Sequence, residues 1–285
     1  MSHVTRGTAA RPGSTSYVAR RTWTGKVFDE GEGPAIVVIP GLHGRWEWSR
    51  PMLRRLASRC RVISYSLSGD IGSGRRVDPA LGFDNHLRQL DEVLDAAGIE
   101  RAAICGVSFG GFVALRYAAT RPQRVAALVL ASAPAPGWAP TAQQARWIAR
   151  PWISTPAFLL TSPGRVWPEV MSAFDTWRDR VRFMALQGLR VLRAPLIPSL
   201  MSARILEAQQ IDFTADCARV AAPALVVSGE EPLDRVVPPH VTRRYASMIP
   251  GARYQMLTGT GHLGSLTQPA RFADVVAEFV HASRR

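Results

Sequence analysis

The chain is short of the residues on which several classes of protein depend. Its 285 residues include only three cysteines, too few for a disulfide framework and typical of a reducing compartment, so we expect a cytoplasmic protein. No apolar stretch reaches the roughly 18–20 residues that a membrane-spanning helix needs, so we expect no membrane span. Residues 1–17 are rich in Ser, Thr, Gly and Ala without the apolar core of a secretory signal, and we interpret them as a flexible lead-in.

Metal-binding patterns are also missing from the sequence. The six histidines include no pair at i and i+4, and none stands at zinc-ligand spacing from a cysteine. We therefore expect neither a metal nor an organic cofactor.

Lysine is nearly absent, yet the chain is strongly basic. Lys26 is its single lysine, so arginine supplies nearly all of the positive charge behind a formal net charge of +13. The arginines are distributed along the chain, and no zinc-finger spacing, aromatic RNA-binding signature or basic arm accompanies them. An arginine-rich surface explains the charge better than a nucleic-acid site does, and we expect no nucleic-acid partner.

Apolar strand patterns alternate with helical patterns along most of the chain. The run at 35–39 is entirely apolar, which is typical of a strand that is buried on both faces of a sheet. Strands are predicted at residues 35–39, 61–65, 102–105, 126–130, 224–228 and 254–257. The alternation predicts an α/β fold, in which helices cover both faces of a mostly parallel sheet.

A nucleophile motif lies between one of these strands and the helical pattern that follows it. Gly106-Val107-Ser108-Phe109-Gly110 is a complete G-x-S-x-G, the pattern of a sharp strand-to-helix turn that exposes a serine hydroxyl. Glycine is needed at 106 and 110 because a side chain there would collide with the neighbouring strand or helix. The N-terminus of the following helix favours negative charge that develops near Ser108.

Two partners that such a serine requires follow downstream. Asp234 lies in the loop after the strand at 224–228, and His262 lies in the loop after the strand at 254–257. A neutral serine hydroxyl is a poor nucleophile, and a histidine that is oriented by a carboxylate can take its proton during attack. The order of serine, acid and histidine along the chain is that of α/β-hydrolase triads.

With these motifs and the Pro40-Gly41-Leu42-His43-Gly44 loop, the chain resembles the α/β-hydrolase superfamily over nearly its whole length after about Val18. The resemblance is to the serine-nucleophile, cap-bearing, esterase-like branch. It implies a mostly parallel sheet with a helical cap inserted before the acid-bearing strand, and the triad Ser108, Asp234 and His262.

Two other carboxylates compete with Asp234 for the acid position. Glu230 and Glu231 lie nearer the end of the strand, and Asp234 comes two residues later than the common G-x-x-D spacing of the family places it. The family's alternative acid position, after the strand at 126–130, holds no carboxylate. We assign the acid to Asp234.

The resemblance further implies an oxyanion hole made of the backbone N–H groups of Leu42 and Phe109. The family's loop usually begins His-Gly, and here Pro40-Gly41 stands in that register. If His43-Gly44 were the equivalent pair instead, Arg45 would donate in place of Leu42. The length of the preceding strand favours Leu42, and we interpret His43 as structural.

The alternation of strands and helices breaks between residues 134 and 212, where the resembled family inserts its lid. We predict a core of residues 18–133 and 213–285 and a helical cap of residues 134–212. Helices within the cap are predicted at 143–148, 168–192 and 199–209.

The predicted cap is rich in aromatic side chains. Trp138, Trp147 and Trp177 are our candidates for lining an apolar substrate pocket that the cap closes. The alternative is that these aromatics hold the cap helices on the core.

The motifs predict a serine hydrolase that cleaves a small or medium apolar ester, lactone or related acyl compound through an acyl-enzyme on Ser108. Dehalogenases and epoxide hydrolases of this fold use an aspartate nucleophile, which Ser108 cannot replace. An acyltransferase or a carbon–carbon bond hydrolase would use the same triad, and a slow-turnover ligand receptor would keep only the fold. The expected partner is an apolar acyl substrate, and the expected state is a monomer or a homodimer.

Overall fold

The computed structural model describes residues 25–284, so the predicted lead-in at 1–17 lies outside the described residues. Within the described part, seven strands form one sheet in the order β1-β3-β2-β4-β5-β6-β7. The strands are β1 Val27–Glu30, β2 Ala35–Ile39, β3 Arg61–Tyr65, β4 Ala102–Val107, β5 Val125–Ala131, β6 Ala224–Ser228 and β7 Arg253–Met256. The α/β fold class that the sequence predicts is confirmed.

Six of the strands run parallel, and β1 alone pairs antiparallel, at the edge beside β3. The sequence analysis missed β1 because only Phe28 of its four residues is buried, which leaves no apolar run to detect. An antiparallel strand at the edge of a parallel sheet is common in large mixed sheets.

Helices cover both faces of the sheet. Their bounds are α1 Arg50–Leu56, α2 Asp84–Ala96, α3 Gly110–Thr120, α4 Ala142–Ala149, α5 Pro151–Ala173, α6 Trp177–Arg193, α7 Pro198–Ala208, α8 Phe213–Arg219, α9 Pro239–Arg243, α10 Tyr245–Met248, α11 Gly264–Thr267 and α12 Pro269–Ala282. Among residues 25–284, no helix is both long and apolar enough to cross a membrane.

The core has two halves because successive strand residues face opposite sides of the sheet. On β2, Val37 and Ile39 pack with the buried side chains of α2, α3 and α8. Ile36 and Val38 pack on the other face with those of α1 and α12. Each fully buried aliphatic side chain contributes about 1.5–3 kcal/mol, so these layers fix the sheet firmly.

The carboxyl ends of the parallel strands meet at one edge of the sheet. Ile39 is paired with Gly106, and Val107 with Ala131, so β2, β4 and β5 end side by side. The loops that follow β2, β4, β6 and β7 therefore emerge together, as expected for the ligand-binding edge of an open α/β sheet.

Helices α4 to α7 lie between β5 and β6 in the chain, where the cap is predicted; we refer to residues 134–212 as the insertion. The prediction of one helix over 168–192 was wrong. The chain is extended at Phe174, and Thr176 begins α6 by accepting a hydrogen bond from the Asp179 N–H at 3.2 Å. The domain boundaries themselves stay a prediction.

Sequence reasoning also missed the first part of α5, which contains Pro156, Pro163 and Pro168. Proline normally interrupts a helix because it lacks an N–H group. The carbonyls that these prolines leave without a helical donor belong to Trp152, Leu159 and Gly164, all of which are exposed residues, so solvent can satisfy them.

Candidate active site

Ser108 stands at the turn between β4 and α3 in a strained backbone conformation. Its φ is 52°, in the left-handed region that a non-glycine residue seldom adopts, at a cost of about 1–3 kcal/mol. Two backbone hydrogen bonds hold it there: the Ser108 N–H donates to Ala131 and the Gly111 N–H donates to Ser108, both at 2.8 Å. Strain maintained in this way is characteristic of functional turns.

The flanking glycines permit this turn. A Cβ on Gly106 would overlap the backbone of Gly110, and a Cβ on Gly110 would overlap the carbonyls of Ile39 and Pro40. Helix α3 therefore begins directly against β4 and the loop after β2, which brings Ser108 to the edge of the sheet.

His262 links Ser108 to Asp234. Its Nε2 lies 3.1 Å from the Ser108 Oγ, and its Nδ1 lies 3.2 Å from the Asp234 Oδ2. Both distances are within hydrogen-bond range, so Nε2 can receive the serine proton while Nδ1–H donates to the carboxylate. The structure thus brings together the three residues assigned from the sequence.

Asp234 is fixed by the backbone around it. Its carboxylate is buried, and Oδ1 accepts the N–H groups of Val236 and Val237, both at 2.9 Å. Oδ2 is left for His262. A carboxylate held by two backbone donors keeps one orientation, which is what the imidazole needs.

The competing carboxylates point elsewhere. Glu230 accepts the N–H of Gly259 at 2.8 Å, and Glu231 pairs with the exposed His240 at 3.1 Å. Neither has a hydrogen bond to His262 in the described part of the chain.

The electrostatics of the site favour a protonated His262 more than water does. Burial by itself lowers the pKa of this imidazole, but the adjacent Asp234 carboxylate and a second carboxylate, Glu169, outweigh it. The pKa of His262 is therefore raised above its ordinary value, and the residue is a stronger base than a free histidine.

The loop after β2 passes beside the serine. A Cβ on Gly41 would lie 3.4 Å from the Cβ of Ser108, and Leu42 is the next residue along this loop. The alternative donor, Arg45, has its N–H bound to the His43 Nδ1 at 3.1 Å. Among residues 25–284, the N–H of Leu42 has no acceptor, which leaves it available to a ligand.

Phe109 supplies the second predicted N–H, which likewise has no acceptor among the described residues. Its side chain is buried in a cluster of rings, with centroids 5.6 Å from His86, 6.1 Å from Phe83 and 6.4 Å from Phe112. This packing anchors the residue that follows Ser108. The use of both N–H groups as an oxyanion hole stays a prediction.

His43 is neutral, in keeping with its structural interpretation. Burial, together with the nearby charges of Arg204 and Arg45, lowers its pKa to about 3. Its ring stacks on Trp48 with centroids 4.5 Å apart.

Two of the three tryptophans predicted to line a pocket make ring contacts within the insertion. Trp147 packs edge-on against Phe158 at 5.5 Å, and Trp177, which is 62% exposed, packs against Trp167 at 5.9 Å. Trp138 is half-buried. Their role in substrate binding stays a prediction.

An open pocket of about 360 Å³ lies between α5 and Arg235, the residue after Asp234. Its lining includes Trp167 and Pro168 but none of the three site residues, so it is not the place where Ser108 would react. Within residues 25–284, no three His, Cys, Asp or Glu side chains are grouped as a metal would require.

Two buried charged residues near the site were missed by sequence reasoning. Glu169 on α5 accepts the N–H of Leu263, 94 positions away, and Arg204 on α7 donates to the carbonyl of Leu42, 162 positions away. The available signal is weak: Glu169 is the single acidic residue of α5, and Arg204 is the single basic residue of α7.

A family model described as the alpha/beta hydrolase family matches residues 36–275, which is most of the chain. The chain belongs to this family. The match runs from β2 to α12 and so includes all of the strands and loops that form the site.

Named relatives of the chain include an esterase and a polyketide synthase. A pimeloyl-[acyl-carrier protein] methyl ester esterase of Nitrosomonas europaea is 29% identical over 255 residues, covering 85% of this chain and 94% of the relative. The polyketide synthase ThaQ of Burkholderia thailandensis is 30% identical over 274 residues, which cover 91% of this chain but only 12% of the synthase.

Among solved structures, the enol-lactonase from Burkholderia xenovorans LB400 matches with a TM-score of 0.72 and 22% identity, covering 90% of this chain and 96% of the lactonase. This likeness shows the fold alone. Together, the family and the named relatives support a hydrolase of the esterase type, and they leave the substrate open.

Proposed function

We propose that this family member is a serine hydrolase that cleaves a small or medium apolar ester, lactone or related acyl compound. The observation that carries the proposal is the continuous hydrogen-bonded chain from Ser108 Oγ through His262 to Asp234. A binding protein has no need of such a chain, and backbone hydrogen bonds hold both Ser108 and Asp234 in place.

In the first half of the reaction, the Ser108 oxygen attacks the acyl carbon while His262 Nε2 takes the hydroxyl proton. The tetrahedral intermediate collapses, the bond to the leaving alcohol breaks, and the histidine returns the proton to that alcohol. An acyl-enzyme ester on Ser108 remains. Asp234 stabilises the imidazolium without becoming protonated.

In the second half, water gives its proton to His262 and attacks the acyl-enzyme. The acid leaves, and Ser108 regains its proton from the histidine. The oxyanion of each intermediate would be met by the N–H groups of Leu42 and Phe109, and the loss of one such donor typically costs about 10²–10³ in kcat.

Ester hydrolysis is favoured over acyl transfer and carbon–carbon cleavage by one relative in particular. The Nitrosomonas protein that matches nearly end to end is named as a methyl ester esterase. The triad alone does not separate these reactions, because they differ in the second substrate and in the pocket.

The test is hydrolysis of p-nitrophenyl esters from acetate to decanoate by the wild type, Ser108→Ala and Ser132→Ala. Ser132 is a matched control because it also follows a central strand and also has a positive φ, 46°. We expect activity that peaks at one chain length, survives in S132A and falls by at least about 10³-fold in S108A.

A fluorophosphonate probe separates the remaining outcomes. If the wild type is inert toward esters but Ser108 is labelled, the triad is competent and the substrate belongs to acyl transfer or carbon–carbon cleavage. If neither the esters nor the probe reacts, the hydrolase proposal is wrong and the receptor interpretation replaces it.

A further inference from the structure

A buried carboxylate of the insertion binds the loop that carries His262. Glu169 on α5 is 1% exposed, and its Oε2 accepts the N–H of Leu263 at 2.8 Å. Its Oε1 accepts the hydroxyl of Thr267, also at 2.8 Å. The residue that follows His262 and a second residue of the same segment are thus bound to one side chain of the insertion.

A buried guanidinium group of the insertion also binds the loop that carries Leu42. Arg204 on α7 is 3% exposed, and its Nη1 donates to the carbonyl of Leu42 at 2.9 Å. Its Nη2 donates to the carbonyl of Ser68 at 3.3 Å and pairs with the carboxylate of Asp70. A Cβ on Gly44 would overlap this pair, so the loop after β2 is fitted closely around the guanidinium.

Burying charged side chains would be an energetically unfavourable way to do no more than hold the insertion in place. Taking a charged group out of water is unfavourable, and a buried ion pair is often no more stable than an apolar contact of the same volume. Each of the two side chains nevertheless forms a hydrogen bond to a backbone group of a site loop: Arg204 to the carbonyl of Leu42, and Glu169 to the N–H of Leu263. Both loops must keep their geometry to within about an ångström for efficient catalysis.

We infer that the insertion completes the active site through two positioning residues, Glu169 for the loop of His262 and Arg204 for the loop of Leu42. The inference rests on the proposed function. It gives the insertion a second role besides covering substrate, because the base and the oxyanion donor keep their alignment only while the insertion is docked.

The role of Glu169 has an electrostatic signature. The groups facing His262 are the carboxylates of Asp234 and Glu169, the hydroxyl of Ser108 and the neutral imidazole of His43. Burial lowers the pKa of His262, and Asp234 and Glu169 raise it. Removal of the Glu169 charge should therefore lower the pKa of His262 and move the acid limb of the pH–rate profile to lower pH.

The role of Arg204 should leave a different trace. Lysine keeps the positive charge beside Asp70 but cannot reach two carbonyls and a carboxylate at once. Arg204→Lys should therefore loosen the Leu42 loop, lower the rate of the chemical step and leave the acid limb in place.

The experiment measures the rate of fluorophosphonate inactivation against pH, together with kcat and KM for the best p-nitrophenyl ester. It compares the wild type with Glu169→Gln and Arg204→Lys. The matched controls are Asp216→Asn and Arg116→Lys, which alter a buried ion pair of 3.0 Å between α3 and α8. Circular dichroism verifies that each variant is folded.

We expect kcat to fall by up to about 10²-fold in E169Q and in R204K, with KM nearly unchanged. The acid limb should shift to lower pH in E169Q only. The controls should keep the wild-type limb and kcat within about twofold. If E169Q does not fold, Thr267→Val removes one uncharged donor from Glu169 and should lower kcat in the same direction.

Three results would overturn the inference. Wild-type kcat and pH profiles in the folded variants would show that the insertion does not position the site. An equal loss in the controls would reduce the effect to general destabilisation. If Ser108 in the wild type does not react with the probe at all, the proposed function fails and takes this inference with it.

Discussion

Asp234 differs from the neighbouring acidic residues in what its backbone provides. The N–H groups of Val236 and Val237 hold one carboxylate oxygen, so the other faces His262 without competing partners. Glu231, by contrast, lies at the surface beside His240. Proximity to the end of β6 would favour the glutamates as the acid, but of these three carboxylates only that of Asp234 is hydrogen-bonded to His262 in the described part of the chain.

Asp234→Asn should lower kcat by roughly 10³–10⁴-fold, because an amide favours the wrong histidine tautomer and cannot stabilise the imidazolium. Glu231→Gln is the matched control and should retain wild-type kcat. Steady-state kinetics on the best p-nitrophenyl ester decide the matter. An active D234N together with an inactive E231Q would move the acid to Glu231.

Sequence could predict that Ser108, Asp234 and His262 come together because each of them follows a strand that is itself easy to recognise. The turn glycines around Ser108 and the apolar run before Asp234 are local signals, and a parallel sheet brings their ends together. Glu169 and Arg204 have no such local signal. Their partners lie 94 and 162 positions away, so only the packed structure shows what they touch.

At the scale of elements, the parallel strands were predictable and the insertion was predictable only in part. The helices predicted at 143–148 and 199–209 correspond to α4 and α7, whereas the one predicted over 168–192 is divided between α5 and α6. Strands β2 and β6 are buried along their length and appear as short apolar runs, a pattern that few other structures produce. The insertion lacks this constraint. In α5, for example, helix and proline occur together because the helix lies at the surface, where solvent can satisfy the freed carbonyls.

Helix α6 shows that hydrophobic residues of the insertion are not always buried. Phe183 is its one fully buried residue and packs against Phe174 at 5.1 Å, whereas Leu192 on the same helix is 80% exposed. A hydrophobic residue here does not by itself indicate a core position. That is why a helical period over 168–192 could not reveal where one helix ends and the next begins.

Phe183→Ala should therefore lower the free energy of unfolding by up to about 3 kcal/mol, through lost burial and the cavity left behind. Leu192→Ala, the matched control on the same helix, should change it by less than about 0.5 kcal/mol. Urea titrations of both variants measure the difference. Equal losses would mean that the outer face of α6 is covered in solution.

At the scale of the whole molecule, charge is plentiful but is largely kept at the surface. The net charge of +13 coexists with surface ion pairs such as Arg61 with Asp29 at 2.9 Å and Arg121 with Asp91 at 2.8 Å. Such pairs contribute little each, about 0–1 kcal/mol. The groups that make stability depend on pH are instead the buried ones.

His86 is the clearest of these buried groups. It is 2% exposed, packs between Phe83 and Phe109, and neither ring nitrogen has a hydrogen-bond partner among the described residues. Burial, together with the nearby charge of Arg204, lowers its pKa to about 3. The folded protein therefore holds His86 neutral under conditions in which the unfolded chain protonates it.

The sign of the effect follows from proton counting. Between the ordinary histidine pKa of about 6.5 and pH 3, the unfolded chain binds a proton at position 86 that the folded protein does not. Stability should therefore fall on acidification by about 1.4 kcal/mol per pH unit from this group. His262 acts in the opposite direction, because its raised pKa stabilises the fold below that value, but this contribution stops growing below the ordinary histidine pKa.

His86→Phe keeps an aromatic ring in the cluster and removes the titrating group. Urea unfolding at pH 7.5, 6.5, 5.5 and 4.5 should give a shallower loss of stability for this variant than for the wild type, by about 1.4 kcal/mol per pH unit below 6.5. Phe112→Leu is the control, since it alters the same ring cluster but removes no titrating group, and it should leave the slope unchanged. If the free energy of unfolding falls equally with pH in H86F and in the wild type, the folded protein does not hold His86 neutral. The ring cluster behind Phe109 must then allow His86 to take up a proton or to bind a partner.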